Sequence, residues 1–589
     1  MKQKILSLLL AFSMLVSIIS AFPMTSRAES ISNSGGGWKI SAPYASSVVL
    51  SLEQYDEQLD AIVAQVGSTD PKVLTDNEDY VNVLLRRRLV DKTGYENLTA
   101  KMNESPDFAA CMEWLFTDTQ MLRYYSYGGE PEANGYYSIN KQVTPDTYMK
   151  SFDVLTRIYA KHKEDMNDTE NAPLYKRVMA AIALTHCVPV YTWFNFTPTG
   201  KRQWFHESEP VERYEIYKKY YNLNFLVDEF DKYNVEELRM VVGCPIDNDQ
   251  LQWIHYYYRV NILKNPDYKE RVVKASLSNI NKVPVKYTVG DREPNKPASA
   301  KYYDPAYYDQ WNQKYTLEFH DEIFDYKVDY GVNEKNKYFE PQWLPYEAGG
   351  VCVDISLTGT VTRNAFGAAA RYLCQPTVHM SYLTYYYNNG KPTCASSYNM
   401  SGIQRSNYTT YGYTHVPAGW SNFGYHGIMN GGYMFLGIDA MYSNHNTNYE
   451  KAENIAYLAE IETAKSNYEK ALELYETVLE VQYFHLDAYV NIARLYQKLG
   501  KTDDDYYALA ERAADALKWY PLPMYEYIIR FISPKVNDII MRADLIGLVS
   551  ETLNISATAN AENSGLFQPS QCIEGAGYCR TQLTQIATF

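Results

Sequence analysis

The chain has 589 residues, of which 46% are hydrophobic and 21% charged, with a formal net charge of −15. That length holds about two to four domains, each with its own core, and the acidic balance excludes nucleic acid as a natural partner. Eight scattered cysteines with no Cys-x-x-Cys pair exclude a disulfide-stapled scaffold and a zinc ribbon.

Lys2 and Lys4 precede a mostly apolar run from Ile5 to Phe22, and Ser26-Arg27-Ala28 offers a small-x-small cleavage site. Residues 1–28 therefore read as a secretory signal peptide, with Glu29 opening the mature chain and three positive charges removed. A membrane anchor is the competing reading, disfavoured by the short run, its serines and Pro23. No cysteine follows the run, which disfavours a lipid anchor. No later run is long enough to span a bilayer, so the mature chain is expected to be secreted, extracellular or at the cell surface.

From about Leu50 to Lys274 apolar residues recur at spacings of three and four, which predicts helices over most of the region 29–325. Val178, Ala181, Ile182 and Leu184 form one stripe, and Tyr214, Tyr217, Tyr220 and Tyr221 another. The stretch from Gly290 to Ser299, rich in Pro and Asn, reads as a linker or long loop. Fifty-seven tyrosines, some in runs such as Tyr256-Tyr257-Tyr258, offer faces for glycan contacts. Packing at the boundary between core and solvent is the simpler expectation for most of them.

Between 326 and 445 the composition shifts toward Gly, Tyr, Thr and Asn, and short alternating stretches predict strands with one helix after Cys352. Helical spacing returns over 446–535. Ala493, Tyr496, Gly500, Ala508, Ala516 and Pro521 fall close to the tetratricopeptide pattern, with Asp503-Asp504-Asp505 read as a short insertion. A looser copy has Ala459, Tyr468 and Ala471. Two units are too few to stand alone, so these helices are expected to stack on the preceding domain. The segment 536–589 reads as a C-terminal tail, partly disordered after Leu548, where Ser, Thr, Ala and Asn dominate.

Chemistry concentrates in Gly349-Gly350-Val351-Cys352 and Gln375-Pro376-Thr377-Val378-His379. A thiol in the first turn of a helix is acidified by the partial positive charge and free amides there. Ile355, Ala365, Phe366, Ala369 and Tyr372 provide a helical stripe behind Cys352, although Gly359 and several threonines weaken it. From Thr377 to Tyr387 the pattern alternates as a strand carrying His379, and Asn388-Asn389-Gly390 signals a hairpin turn. If all three turn residues lie in the loop, 387 pairs with 391 and Asn399 stands opposite His379, able to orient the imidazole. A two-residue loop shifts the pairing by one and removes that placement. The expected triad is Cys352 as nucleophile, His379 as base and then acid, and Asn399 as orienting residue.

These residues carry a resemblance. Gly350-Val351-Cys352 opening a helix, Ala368-Ala369-Ala370-Arg371-Tyr372 at its far end and His379 on the next strand resemble the core of the transglutaminase-like superfamily. Gln375-Pro376-x-x-His379 and Tyr398-Asn399-Met400-Ser401-Gly402 resemble a secreted bacterial subgroup of largely unassigned activity. The resemblance spans roughly 120 residues, Tyr326 to Tyr442, and the flanking helices belong with it. It implies a papain-like fold, shared with cross-linking transglutaminases, peptide:N-glycanases and bacterial cysteine peptidases, and carries the nucleophile and its partner onto Cys352 and His379. The family's third residue is usually Asp, where this chain has Asn399; its Cys is often followed by Trp, where this chain has Val353. Gln375 and the Cys352 amide are the oxyanion candidates.

The fold expected is α+β: a mainly helical chain with a central papain-like domain and a C-terminal tetratricopeptide-like region. The function expected is acyl transfer from a protein, peptide or cell-wall peptide, with hydrolysis favoured over cross-linking because no Asp-x-Asp-x-Asp-Gly calcium loop is present. No cofactor or metal is called for. The alternative is a catalytically inactive extracellular scaffold that holds glycan or protein. His206-Glu207 and His320-Asp321-Glu322 lack metal-ligand spacing and read as solvated faces. Cys572 and Cys579 bracket a small loop, and the remaining cysteines read as buried thiols. Asn97, Asn195, Asn399 and Asn407 sit in glycosylation-type triplets.

Overall fold

The computed structural model describes residues 46–132, 143–187, 209–244, 246, 248–257, 317–321, 326–330, 352–375, 379–388, 391–397, 409–410, 429–430, 446–518 and 521–562. The chain is mainly helical across them. Eleven α-helices come first among the described residues: α1 Leu52–Val66, α2 Pro71–Leu74, α3 Glu78–Thr93, α4 Tyr95–Glu104, α5 Pro106–Thr117, α6 Thr119–Tyr127, α7 Pro145–His162, α8 Ala172–Thr185, α9 Glu209–Asn222, α10 Val235–Val242 and α11 Asn248–Tyr257.

Their boundaries follow local chemistry. Ser51, Asp70, Asn77, Ser105, Asp118, Thr144 and Asn234 each accept a hydrogen bond from a first-turn amide, and Pro71, Pro106 and Pro145 stand just inside the starts. Ser105-Pro106 both stops α4 and starts α5, because proline cannot continue a helix that its own ring would clash with. The two anticipated stripes are core: Val178, Ala181, Ile182 and Leu184 are buried, as are Tyr214, Tyr217 and Tyr220, while Tyr221 is half-buried.

Several tyrosines lie deeper than the core–solvent boundary. Tyr217 is fully buried and donates to the carbonyls of Val241 and Asn364, and Tyr125 donates to Ser151 Oγ. A buried phenol is tolerated because its hydroxyl finds an internal acceptor. Arg213, Arg239 and Arg363 are also fully buried. Arg239 donates to the carbonyls of Gly128, Glu130 and Leu184, threading the loop after α6 to the end of α8.

His186, just past α8, points Nε2 at the Val242 carbonyl at 3.0 Å. Burial, with the nearby Arg213 charge, pushes its pKa down to about 3. The unfolded histidine binds a proton below about pH 6.5, whereas the folded one stays neutral until about pH 3. His186 therefore contributes stability that is complete above pH 6.5 and declines as pH falls, at up to roughly 1.4 kcal/mol per unit. Urea unfolding at pH 7.5, 6 and 5 should show that decline, and His186→Gln should flatten it; an equally steep fall in the variant would assign the effect to other groups.

In the central region β1 Leu317–Asp321 pairs antiparallel with β2 Tyr326–Tyr330. Helix α12, Cys352–Ala365, leads into a five-stranded antiparallel sheet of β3 Ala370–Gln375, β4 His379–Asn388, β5 Lys391–Ser397, β6 Thr409–Thr410 and β7 Met429–Asn430, in the order β5-β4-β3-β6-β7. The expected helix from Cys352 to Tyr372 is thus too long. It ends at Ala365, and Ala370, Arg371 and Tyr372 begin a strand instead.

Six further α-helices follow among the described residues: α13 Asn446–Ala464, α14 Tyr468–Val481, α15 Leu486–Lys498, α16 Asp503–Ala516, α17 Pro521–Tyr527 and α18 Ile539–Glu562. Asp503-Asp504-Asp505, read as a short insertion in the repeat spacing, is helical. The three acids form the first turn of α16, capped by Thr502 and favoured there by the helix dipole. Gly500 takes a left-handed φ of 65° in the turn before it. The segment read as a tail opens with α18, whose Leu545 and Val549 enter the core of this region.

Helix α13 ties the two cores together. Its Tyr457 and Ile461 belong to the core of the first helices, while Tyr449, Ala452, Ile455, Ala456 and Ala459 belong to the second. Arg87 donates to Tyr457 Oη at 2.7 Å, and Glu453, fully buried, stands 3.0 Å from His485 Nε2 and 3.6 Å from Arg88. Among the described residues no helix is long and apolar enough to cross a membrane.

Candidate active site

Helix α12 begins at Cys352, as the Gly-Gly entry predicts. The first four amides of any helix lack intrahelical acceptors, so the backbone around Cys352 presents donors and a partial positive charge. Residues 331–351, including Gly349 and Gly350, lie outside the described residues.

The second half of α12 is buried on every side. Thr358, Thr360, Val361, Thr362, Arg363, Asn364 and Ala365 are each at most 1% exposed. Polar groups survive there by bonding locally: Thr362 Oγ1 donates to the Thr358 carbonyl, Arg363 Nη1 to the Gly359 carbonyl, and Asn364 Nδ2 to the Ala368 carbonyl at 3.1 Å. Helix propensity predicts weakness at Gly359 and the threonines, and enclosure overrides it.

The first helices hold the end of α12 in place. Val227 N donates to the Phe366 carbonyl at 2.9 Å, Tyr217 Oη to the Asn364 carbonyl at 2.9 Å, and Ala369 N to Tyr233 Oη at 3.4 Å. The His255 ring stacks between Tyr220 and Phe366, with centroids 4.1 and 4.3 Å away. Gly367 has φ +77°, and a β-carbon there would meet Phe230 at 2.9 Å and Leu226 at 3.1 Å. Both facts require glycine. Gly367→Ala should cost about 1–3 kcal/mol in chemical denaturation; a loss within 0.5 kcal/mol, about the scatter of neutral surface changes, would show that the turn relaxes.

Four residues, 366–369, reverse the chain, and α12 packs on both β3 and β4. The helix is 14 residues long and β3 six. At ~1.5 Å per helical residue and ~3.3 Å per strand residue, they extend about 20 and 17 Å, so β3 returns almost the full length of the helix. The register places Gln375 directly across from His379, which is the first residue of β4. The register thus brings Gln375 and His379 together, on two strands that both pack against the helix opened by Cys352.

Asn399 is different. The hairpin pairs Asn388 with Lys391 and Tyr387 with Pro392, a two-residue loop of Asn389 and Gly390. Asn389 and Gly390 lie outside the described residues, but Asn-Gly is a dipeptide that two-residue hairpin loops favour in general. That register cancels the count that set Asn399 opposite His379. Asn399 itself lies outside the described residues, whereas Gln375 across from His379 is a neighbour that pattern counting did not supply.

The other candidates add little. His206-Glu207, Glu322, Cys572 and Cys579 lie outside the described residues, and His320 and Asp321 are in β1. No group of three potential metal-ligating side chains occurs among the described residues. Cys111, Cys187 and Cys244 are buried, and burial pushes Cys111 up to about 12, far from thiolate chemistry at neutral pH. No family model, no curated protein and no solved structure matches the chain.

Proposed function

We propose that the chain is a secreted cysteine enzyme of transglutaminase-like type, with α12 and the five-stranded sheet as the core of a papain-like α+β domain. It acts on an amide of a protein, peptide or cell-wall peptide. The observation that supports this reading is a helix opening at Cys352 that packs on the strand opening at His379, with Gln375 across from that histidine.

The Cys352 thiolate attacks the amide carbonyl, and the proton it gave up resides on His379. Charge develops on the carbonyl oxygen, where the first-turn amides of α12 serve as donors and Gln375 is the side-chain candidate. His379 then protonates the departing amine, leaving a thioester on Cys352. Water, deprotonated by His379, cleaves the thioester and restores the thiol; an amine in place of water gives transfer. Hydrolysis is the favoured outcome. Neither route uses a cofactor.

Time-resolved iodoacetamide labelling of the full chain, read by peptide mass spectrometry, tests the proposal. Cys352 should label fastest of the eight cysteines, and His379→Ala should slow it alone. Equal rates at all accessible cysteines, or indifference to His379, would instead favour a binding scaffold with a dead site.

A further inference from the structure

A cavity of about 560 Å³, away from α12, opens between the first turns of α3, α6, α10 and α13. Its lining is polar and aromatic: Glu78, Asn82, Arg123, Tyr124, Tyr449 and Glu450 are among its residues. Its volume falls in the range of small-molecule sites, and its walls are helices rather than loops.

Three side-chain atoms of residues in this wall are shut away from solvent and have no hydrogen-bond partner: Asn82 Oδ1, Arg123 Nε and Tyr449 Oη. Tyr449 is 4% exposed. An orphaned buried polar atom is costly, and three within one cavity wall point to a ligand that supplies what is missing. The three differ in kind. Asn82 Oδ1 accepts, Arg123 Nε donates, and the Tyr449 hydroxyl does either.

Charge narrows the class. Glu78 and Glu450 outnumber Arg123, which opposes phosphate and other polyanions. An ammonium group only donates and leaves Arg123 unmet. An apolar ligand would strand every polar group. Glu450 is exposed by area yet ringed by protein, and that enclosure lifts its carboxyl above the ordinary range while Arg123 pulls it back. A sugar ring meets each requirement, since its hydroxyls donate and accept, its carbon face packs on tyrosine rings, and carboxylates and amides accept from vicinal hydroxyls.

We infer that this cavity binds a neutral carbohydrate of one or two rings, held by Glu78, Asn82, Arg123, Tyr449 and Glu450 and seated as the three orphaned side chains turn toward it. The site is independent of Cys352.

The test is ligand-observed NMR and calorimetry on the full chain with glucose, galactose, N-acetylglucosamine, cellobiose, maltose and chitobiose at millimolar concentration. At least one sugar should bind saturably, and Tyr449→Phe and Glu450→Gln should each weaken it about tenfold. Tyr449→Phe without ligand should melt no lower than the parent, because it removes an unpaired hydroxyl; this separates lost binding from lost folding. Cys352→Ser should bind sugar as the parent does. The inference is overturned if no sugar in the panel saturates, if binding survives both variants unchanged, or if inorganic phosphate or ethanolamine binds there and the sugars do not.

Discussion

Alkylation of Cys352 at pH 7 should fall about tenfold when His379 is replaced by alanine, and its pH profile should move upward toward that of a free thiol. An unperturbed thiol has a pKa near 8.5 and is only a few per cent thiolate at pH 7. A helix N-terminus together with a histidinium brings such thiols to roughly 3.5–7.5, which makes the thiolate abundant. The gain in thiolate fraction is at most about thirtyfold, and the lower basicity of the nucleophile returns part of it. On the proposed reading, turnover of an amide substrate should fall by roughly 10³-fold or beyond for Cys352→Ser, because a serine hydroxyl lacks the acidity of a thiol. A Cys352 profile centred near 8.5 in both the parent and His379→Ala would sink the pairing.

Replacing Arg213 by leucine should cost about 3–5 kcal/mol of stability. The guanidinium is fully buried on α9 and donates to Asn248 Oδ1 at 2.5 Å and to the carbonyls of Val242, Cys244 and Ile246 at 3.0, 3.2 and 2.6 Å. Val242 ends α10, so its carbonyl is among the last four that a helix cannot satisfy itself. One planar fork thus serves a helix end and the segment leading into α11. Leucine fills the space but removes the donor that these three carbonyls and Asn248 Oδ1 share, while His186 still faces the Val242 carbonyl; a buried hydrogen bond lost in this way costs about 1–3 kcal/mol before relaxation recovers part of it. Arg213→Lys should recover little, because an ammonium cannot span the same fan of acceptors. The measurement is urea unfolding at pH 7.5. A loss below about 1 kcal/mol for Arg213→Leu would show that water reaches these carbonyls.

Both predictions bear on the same architecture, since α10 and α11 pack directly on α12. The first helices are therefore more than a neighbouring layer: Tyr217, Val227, Tyr233 and His255 grip the end of the helix that Cys352 opens. That grip was not legible in the sequence. Tyr217 shows only as part of a tyrosine stripe, and nothing local connects it to Asn364, 147 residues away.

What was legible depended on short-range physics. Gly-Gly before Cys352 marked a helix start, alternation from Thr377 marked a strand that begins at His379, and capping residues such as Ser105 before Pro106 marked helix boundaries. These signals act over one turn or a few strand residues, so local composition suffices. The hairpin turn was equally visible, but its loop length was not. Two- and three-residue loops share the same Asn-Asn-Gly text, and the difference of one residue moves every partner along the ladder.

The sequence by itself determined that the chain is mainly helical, that Cys352 heads a helix and that His379 heads a strand. Tertiary structure alone decided where α12 ends, through the left-handed Gly367 pressed against Phe230, and it decided that Gly359 and the threonines stay helical, through burial on all sides. It also decided that Gln375 stands across from His379. The physical reason is common to all three: each depends on contacts between residues far apart in the chain, whose energies outweigh local preferences of at most about 1 kcal/mol per residue.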